Sequence, residues 1–255
     1  MTNTPGEFIW YELMTGDPDA AAGFYGAVVG WTVREFEPGA EYRLFSTPET
    51  EVAGLMRTPP EQASAPPSWF GYIGVDDVDA KARELVAAGA VQHVPPTDIP
   101  GVGRFAMLAD PQGAPFYIMR GASEGTSTSF KSDGVGHCQW NELNTSDPAG
   151  ALAFYTAGFG WLKGDTMPMP DLGDYQFINI GERMIGAISP QPPDSPPPNW
   201  LYYFGVDDID RAAQAVTANG GQIQYGPSEI PGGDYIIIVT DPQGATVGFV
   251  GPKRG

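Results

Sequence analysis

Residues 8–15 read Phe-Ile-Trp-Tyr-Glu-Leu-Met-Thr. The run alternates, is dense in bulky side chains, and predicts a β-strand. Asp17-Pro18 follows and marks a helix start, with Asp to accept from the first free N–H groups and Pro at the first helical position. Apolar residues at helical spacing over 20–29 predict the helix, and Gly30-Trp31 ends it and opens another strand. Two short strands, 42–47 and 52–56, complete a strand-helix-strand-strand-strand order. After a proline-rich bridge at 58–67 the order restarts. It runs as a strand at 69–75, a helix at 76–88 stopped by Gly89, then strands at 91–94, 104–109 and 115–119. Asp110-Pro-Gln-Gly is the turn before the last strand.

The whole pattern then recurs. Trp10-Tyr-Glu-Leu-Met-Thr-Gly-Asp-Pro returns from Trp140 as Trp-Asn-Glu-Leu-Asn-Thr-Ser-Asp-Pro. Phe24-Tyr25 and Gly30-Trp31 return as Phe154-Tyr155 and Gly160-Trp161. Gly74-Val-Asp-Asp-Val-Asp returns from Gly205, and Asp110-Pro-Gln-Gly-Ala from Asp241. Such self-similarity means one fold used twice, so any site must be sought in both copies. We expect a first domain at 1–120, a Gly/Ser/Thr-rich linker at 121–134 and a second domain at 135–255, with its own proline bridge at 190–198.

Composition narrows the function. The net charge is −18, which repels phosphate backbones and anionic lipid, so neither nucleic acid nor membrane is an expected partner. No apolar run is long enough to span a bilayer, and the first residues lack the basic start and apolar core of a secretory signal. Cys138 is the sole cysteine, which excludes an intrachain disulfide and fits a cytoplasmic protein. The expected partner is a small-molecule ligand or substrate. A monomer is favoured, with a dimer left open.

The Leu-x-Thr-x-Asp-Pro opening, the Phe-Tyr plus Gly-Trp helix exit, the Val-Asp-Asp and the Asp-Pro-x-Gly before the last strand come in that order, twice. Together they resemble the vicinal oxygen chelate superfamily of glyoxalase I, bleomycin-resistance proteins and extradiol dioxygenases. The tandem form with Trp-x-Glu-Leu is similar to glyoxalase-like proteins of actinobacteria. The resemblance implies an α+β fold of paired βαβββ units in tandem, forming two cupped sheets with helices outside and a small-molecule site within each cup.

It also implies where a divalent metal would be held. The matching positions carry Trp10, Phe70 and Tyr117 in the first half, and Trp140, Leu201 and Gly248 in the second. None is a good donor for such a cation. The two histidines fall elsewhere: His93 outside any ligand position and His137 on the opposite strand face from Trp140. We expect no cofactor, although Glu12 or Glu142 leaves an unusual metal site open.

If Trp10 faces a cup, period two turns Glu12 and Met14 inward too. The same rule brings in Phe70, Tyr72, Tyr117 and Met119, and in the second half Trp140, Glu142, Asn144, Leu201 and Tyr203. A carboxylate among aromatic side chains suits a general acid or base, and a nearby tyrosine suits an oxyanion. Glu12, Glu142, Tyr72 and Tyr203 are therefore the candidate catalytic residues. Trp10, Met14, Phe70, Tyr117, Met119, Trp140, Asn144 and Leu201 are candidates for substrate binding. A buried glutamate that merely binds a tyrosine hydroxyl and holds the sheet is the competing reading. Two functions stay open: a metal-independent lyase or isomerase, or a protein that sequesters a flat hydrophobic molecule as bleomycin-resistance proteins do.

Overall fold

The computed structural model describes residues 3–37, 41–62, 64–192 and 194–254; Ala63 and Pro193, one in each proline bridge, lie outside them. Four βαβββ modules follow one another. The first is β1 (Phe8–Thr15), α1 (Pro18–Val29), β2 (Thr32–Glu35), β3 (Arg43–Ser46) and β4 (Glu51–Arg57). The second is β5 (Ser68–Gly74), α2 (Val78–Ala87), β6 (Val91–Ile99), β7 (Gly103–Ala109) and β8 (Pro115–Gly121). The third is β9 (Cys138–Thr145), α3 (Pro148–Phe159), β10 (Leu162–Met169), β11 (Gly173–Ile180) and β12 (Arg183–Pro190). The fourth is β13 (Asn199–Gly205), α4 (Ile209–Ala218), β14 (Gln222–Glu229), β15 (Tyr235–Thr240) and β16 (Thr246–Gly251). The strands form two eight-stranded mixed sheets, ordered β2-β3-β4-β1-β5-β8-β7-β6 and β10-β11-β12-β9-β13-β16-β15-β14.

The helix signals work as their chemistry requires. Asp17 and Asp147 accept from the N–H groups of Ala20 and Gly150 at 3.1 and 2.9 Å, and Asp77 does the same for Ala80 at 2.9 Å. Gly30 and Gly160 end α1 and α3 with φ of 87° and 70°, a left-handed conformation that glycine adopts without strain. One strand is longer than its sequence pattern. β6 runs through Pro95-Pro96 to Ile99 because it is the outermost strand of its sheet, where a missing N–H costs no ladder bond. Its pairing with β7 shifts register between Val94 and Thr97, where the prolines sit.

The residues divide into two compact units, each drawing on both halves of the sequence. Unit one is Met1–Ile9, Gly71–Ser127 and Asn141–Trp200; unit two is Trp10–Phe70, Thr128–Trp140 and Leu201–Gly255. At the centre of unit two the Tyr25 hydroxyl donates to Asp241 at 2.9 Å and accepts from Trp69 Nε1 at 2.8 Å. Asp241 also accepts from the backbone N–H groups of Gln243, Gly244 and Ala245, which fixes the Asp-Pro-Gln-Gly turn. Burial pushes the Tyr25 phenol well above its ordinary range, and the Asp241 charge adds to this. Burial also raises the Asp241 carboxyl, against the pull of its N–H donors. Trp31, Phe45, Trp69 and Phe204 surround this network, with Trp69 and Phe204 centroids 4.8 Å apart.

Unit one repeats the plan with exchanged halves. Tyr155 donates to Asp110 at 3.1 Å and accepts from Trp200 Nε1 at 3.1 Å, while the Tyr155 ring stacks on Trp161 at 5.0 Å. The Gly-Trp tryptophans behave alike. Trp31 Nε1 donates to the Gly136 carbonyl at 2.8 Å in unit two, and Trp161 Nε1 to the Gly6 carbonyl at 2.9 Å in unit one. Lys81 donates to the Gly158 carbonyl at the end of α3, and Arg211 to the Val28 carbonyl at the end of α1, so a cation meets the negative pole of each helix.

Candidate functional site

The strand alternation expected for β1 is present. Tyr11 and Leu13 are fully buried on one face, where Tyr11 meets Tyr202 and Phe204 edge-on at 5.1 and 5.7 Å. Trp10 and Glu12 share the other face. There the Tyr42 hydroxyl lies between them, accepting from Trp10 Nε1 at 3.0 Å and donating to the Glu12 carboxylate. Desolvation of the hydroxyl, with the Glu12 charge beside it, drives the Tyr42 phenol well above its ordinary range. Glu12 pairs across the ladder with Gly54. A Cβ on Gly54 would overlap the Tyr42 hydroxyl, so the glycine is what lets the ring lie down on the sheet. Glu12 is only 4% exposed.

The second copy has the same pair in unit one. Tyr175 donates to Glu142 Oε2 at 2.6 Å, and its ring sits edge-on to Phe177 at 5.6 Å. The residue opposite Glu142 is Ala187, and both Glu142 and Tyr175 are partly exposed. Tyr42 and Tyr175 were not among the expected site residues. Each tyrosine stands the same distance ahead of the residue that faces its glutamate, Gly54 or Ala187, a regularity that appears only once the strand pairing is known. The repeat also hides it, because Tyr42 and Tyr175 are 133 residues apart (175 − 42) and the opening motifs Trp10 and Trp140 only 130 (140 − 10).

The remaining candidates fall into two groups. In unit one Tyr72 pairs with Tyr117 across β5 and β8, and their rings stack at 4.4 Å and 13°. Phe105 lies against Tyr117 at 5.9 Å. Met119 is buried in the same strand, and Asn144 is partly exposed opposite Ser189. In unit two Tyr203 pairs with Gly248, and its ring covers the glycine so closely that a Cβ there would overlap it. Leu201, Tyr203 and Val250 form a buried cluster with Trp140, Ile236 and Ile238 against it. Met14 pairs with Met56, and Phe70 is partly buried.

Among the described residues no group of three or more His, Cys, Asp or Glu side chains is placed to hold a metal ion. The residues at the positions the resemblance implies do not fit one either. They offer the indoles of Trp10 and Trp140, the hydrocarbon side chains of Phe70 and Leu201, the Tyr117 phenol and no side chain at Gly248. His137 is buried, with Nδ1 2.6 Å from the Thr128 carbonyl oxygen. Cys138 is buried, donates to the Trp140 carbonyl at 3.3 Å, and burial pushes its thiol up to about 12, so it is no nucleophile near neutral pH. An open depression of about 370 Å³ in unit one lies between α2 and α3, lined by Val75, Asp76, Lys81, Glu84 and Phe159. It contains none of the candidates. No helix among the described residues is long and apolar enough to cross a membrane. Chemically, the arrangement offers two carboxylates, each oriented by one phenol O–H and able to accept a proton.

Known proteins bear on this picture. The chain is 33% identical to the Mycobacterium tuberculosis protein CFP32, provisionally named a glyoxylase, over 95% of this chain and 94% of that protein. It is 32% identical to the anthracycline biosynthesis protein DnrV of Streptomyces peucetius, over 98% of this chain and 95% of that protein. In fold it is similar to a Mn(II)-bound glyoxalase from Novosphingobium aromaticivorans, with a TM-score of 0.64 and 19% identity over 98% of this chain and 82% of that one. It is also similar to 2,2',3-trihydroxybiphenyl 1,2-dioxygenase from Sphingomonas wittichii, with a TM-score of 0.68 and 17% identity over 97% and 90%. The model of the glyoxalase/bleomycin resistance protein/dioxygenase superfamily matches residues 8–118 and again 134–249, and the chain belongs to that superfamily as a tandem, two-copy member.

Proposed function

We propose that the protein transforms a small carbonyl compound as a metal-independent isomerase or lyase, with a glutamate, Glu12 or Glu142, as general acid/base. The observation that carries this is the duplicated pair: Tyr42 donates to Glu12 and Tyr175 to Glu142. A carboxylate oxygen takes the proton from the carbon next to the carbonyl. The C–H electron pair becomes the enolate double bond as the carbonyl pair moves onto oxygen, and the Tyr72 or Tyr203 hydroxyl donates to that oxygen. Return of the proton to a neighbouring atom gives the isomer. Departure of a group β to the carbonyl with its bonding pair, taking the proton, gives the lyase product. Either way the carboxylate is regenerated. Proton transfer by a positioned side chain contributes about 10²–10⁴-fold to rate.

The relatives' names support small-molecule chemistry, and the one named for anthracycline biosynthesis supports a flat conjugated substrate for this chain. Trp10, Met14, Phe70, Trp140 and Leu201 in unit two, or Tyr117, Met119 and Asn144 in unit one, would then bind it. The apolar cluster around Tyr203 favours a second reading, sequestration of such a molecule unchanged. One experiment decides. A metabolite extract of the source organism is incubated with wild type and with the double variant Glu12→Gln/Glu142→Gln, then surveyed by untargeted mass spectrometry. We expect a metabolite to be consumed, and a product to appear, only with wild type. A metabolite retained unchanged by the protein would replace the enzyme reading with sequestration.

A further inference from the structure

The two glutamate–tyrosine pairs differ at one backbone position. Opposite Glu12 stands Gly54, and the absence of a Cβ lets Tyr42 close down between Trp10 and Glu12. Opposite Glu142 stands Ala187, whose methyl group occupies the equivalent place on the sheet. The difference shows at the carboxylate: Glu12 is 4% exposed, whereas Glu142 is partly exposed, while Tyr42 and Tyr175 are both partly exposed. One neighbouring substitution runs the same way. Asn144, in the unit of Glu142, replaces Met14, in the unit of Glu12, a change to a more polar residue. A base that meets a substrate needs an open oxygen; one that pins a sheet does not.

We propose that Glu142 is the working carboxylate, that Tyr175 is its positioning residue, and that the buried Glu12, bonded to Tyr42, is a structural counterpart, the division being set by Gly54 against Ala187. This rests on the proton-transfer reading above. The Tyr175 O–H bond to Oε2 orients the carboxylate. It also favours the charged, basic form, because a hydrogen bond to a carboxylate stabilises the ion. In the first copy the same bond is made in a site that admits little solvent, consistent with the strongly raised Tyr42 phenol.

Carbodiimide with glycine ethyl ester, applied to the folded full-length chain and read by peptide mass spectrometry, should modify Glu142 several-fold faster than Glu12. Ala187→Gly should slow that labelling. Equal labelling, or faster labelling of Glu12, would overturn the assignment. With the metabolite that wild type consumes, Glu142→Gln should lose about 100-fold more turnover than Glu12→Gln, the size expected for a general base. The reverse order would also overturn it. Tyr175→Phe removes the O–H but keeps the ring, and should move the acid limb of the pH–rate profile to higher pH, a shift that a purely structural role would not produce. An unmoved limb would remove Tyr175 from the assignment. The two levels separate cleanly. If the double variant consumes the metabolite like wild type, the proton-transfer reading fails. If the double variant is inactive while Glu142→Gln keeps pace with wild type, only the assignment to the second copy fails.

Discussion

At the scale of single residues, one device recurs in the core of each unit and at each candidate site: a tyrosine hydroxyl donating to a carboxylate. Tyr25 is fully buried, donates to Asp241 and accepts from Trp69. Tyr25→Phe keeps the ring but leaves a buried carboxylate and an indole N–H each short of a partner. It should cost about 1–3 kcal/mol per group left unsatisfied, read as a lower denaturant midpoint at unchanged slope. The same phenol gives a pH dependence. Its proton is held more tightly in the native state than in the unfolded chain, so its contribution is complete below the ordinary tyrosine range near pH 10. It is lost as pH rises through the folded value, by about 1.4 kcal/mol per pH unit. Wild type should therefore lose stability above pH 10 faster than Tyr25→Phe. Tyr25 falls within the helix that the spacing over 20–29 predicts. The sequence could not show that the hydroxyl reaches Asp241, because that contact joins residues 216 positions apart. For the same reason Glu12 and Glu142 were legible from strand alternation, whereas Tyr42 and Tyr175 were not. Their placement depends on strand pairing through β4 and β12, which no local pattern encodes.

At the scale of elements, the pattern of alternation and caps sufficed for four βαβββ modules. It fell short at the sheet edges. Pro95-Pro96 reads as a strand end, yet β6 continues through it because an outermost strand tolerates proline. Glycines within strands carried information that composition alone obscured. Gly54 and Gly248 each leave room for a tyrosine ring lying flat on the ladder. Gly248→Ala would force Tyr203 off β16 and disturb its packing with Leu201 and Val250. Overpacking of this kind costs about 1–3 kcal/mol. A drop in thermal midpoint with altered near-ultraviolet circular dichroism, but unchanged far-ultraviolet signal, is the expected result.

At the scale of the whole molecule, the duplication is used by exchange. Tyr25 of the first half finds Asp241 of the second, Tyr155 finds Asp110, and each Gly-Trp tryptophan bonds a glycine carbonyl that leads into the other half. A fragment of residues 1–120 would thus present Tyr25 without Asp241 and Asp110 without Tyr155. We expect it to be a dimer or an aggregate by size-exclusion chromatography, and a stable folded monomer would contradict the exchange. The duplication was plain in the sequence; the exchange was not, since motif order does not say which copy supplies a partner.

The central claim is that a glutamate of this protein moves a proton next to a carbonyl, and deuterium tests it most directly. The metabolite extract is incubated in D2O with wild type and with Glu12→Gln/Glu142→Gln, and mass spectrometry looks for isotope uptake. The account predicts that one metabolite gains deuterium at the carbon beside its carbonyl with wild type and none with the double variant. No uptake with wild type, or equal uptake with both proteins, would contradict it.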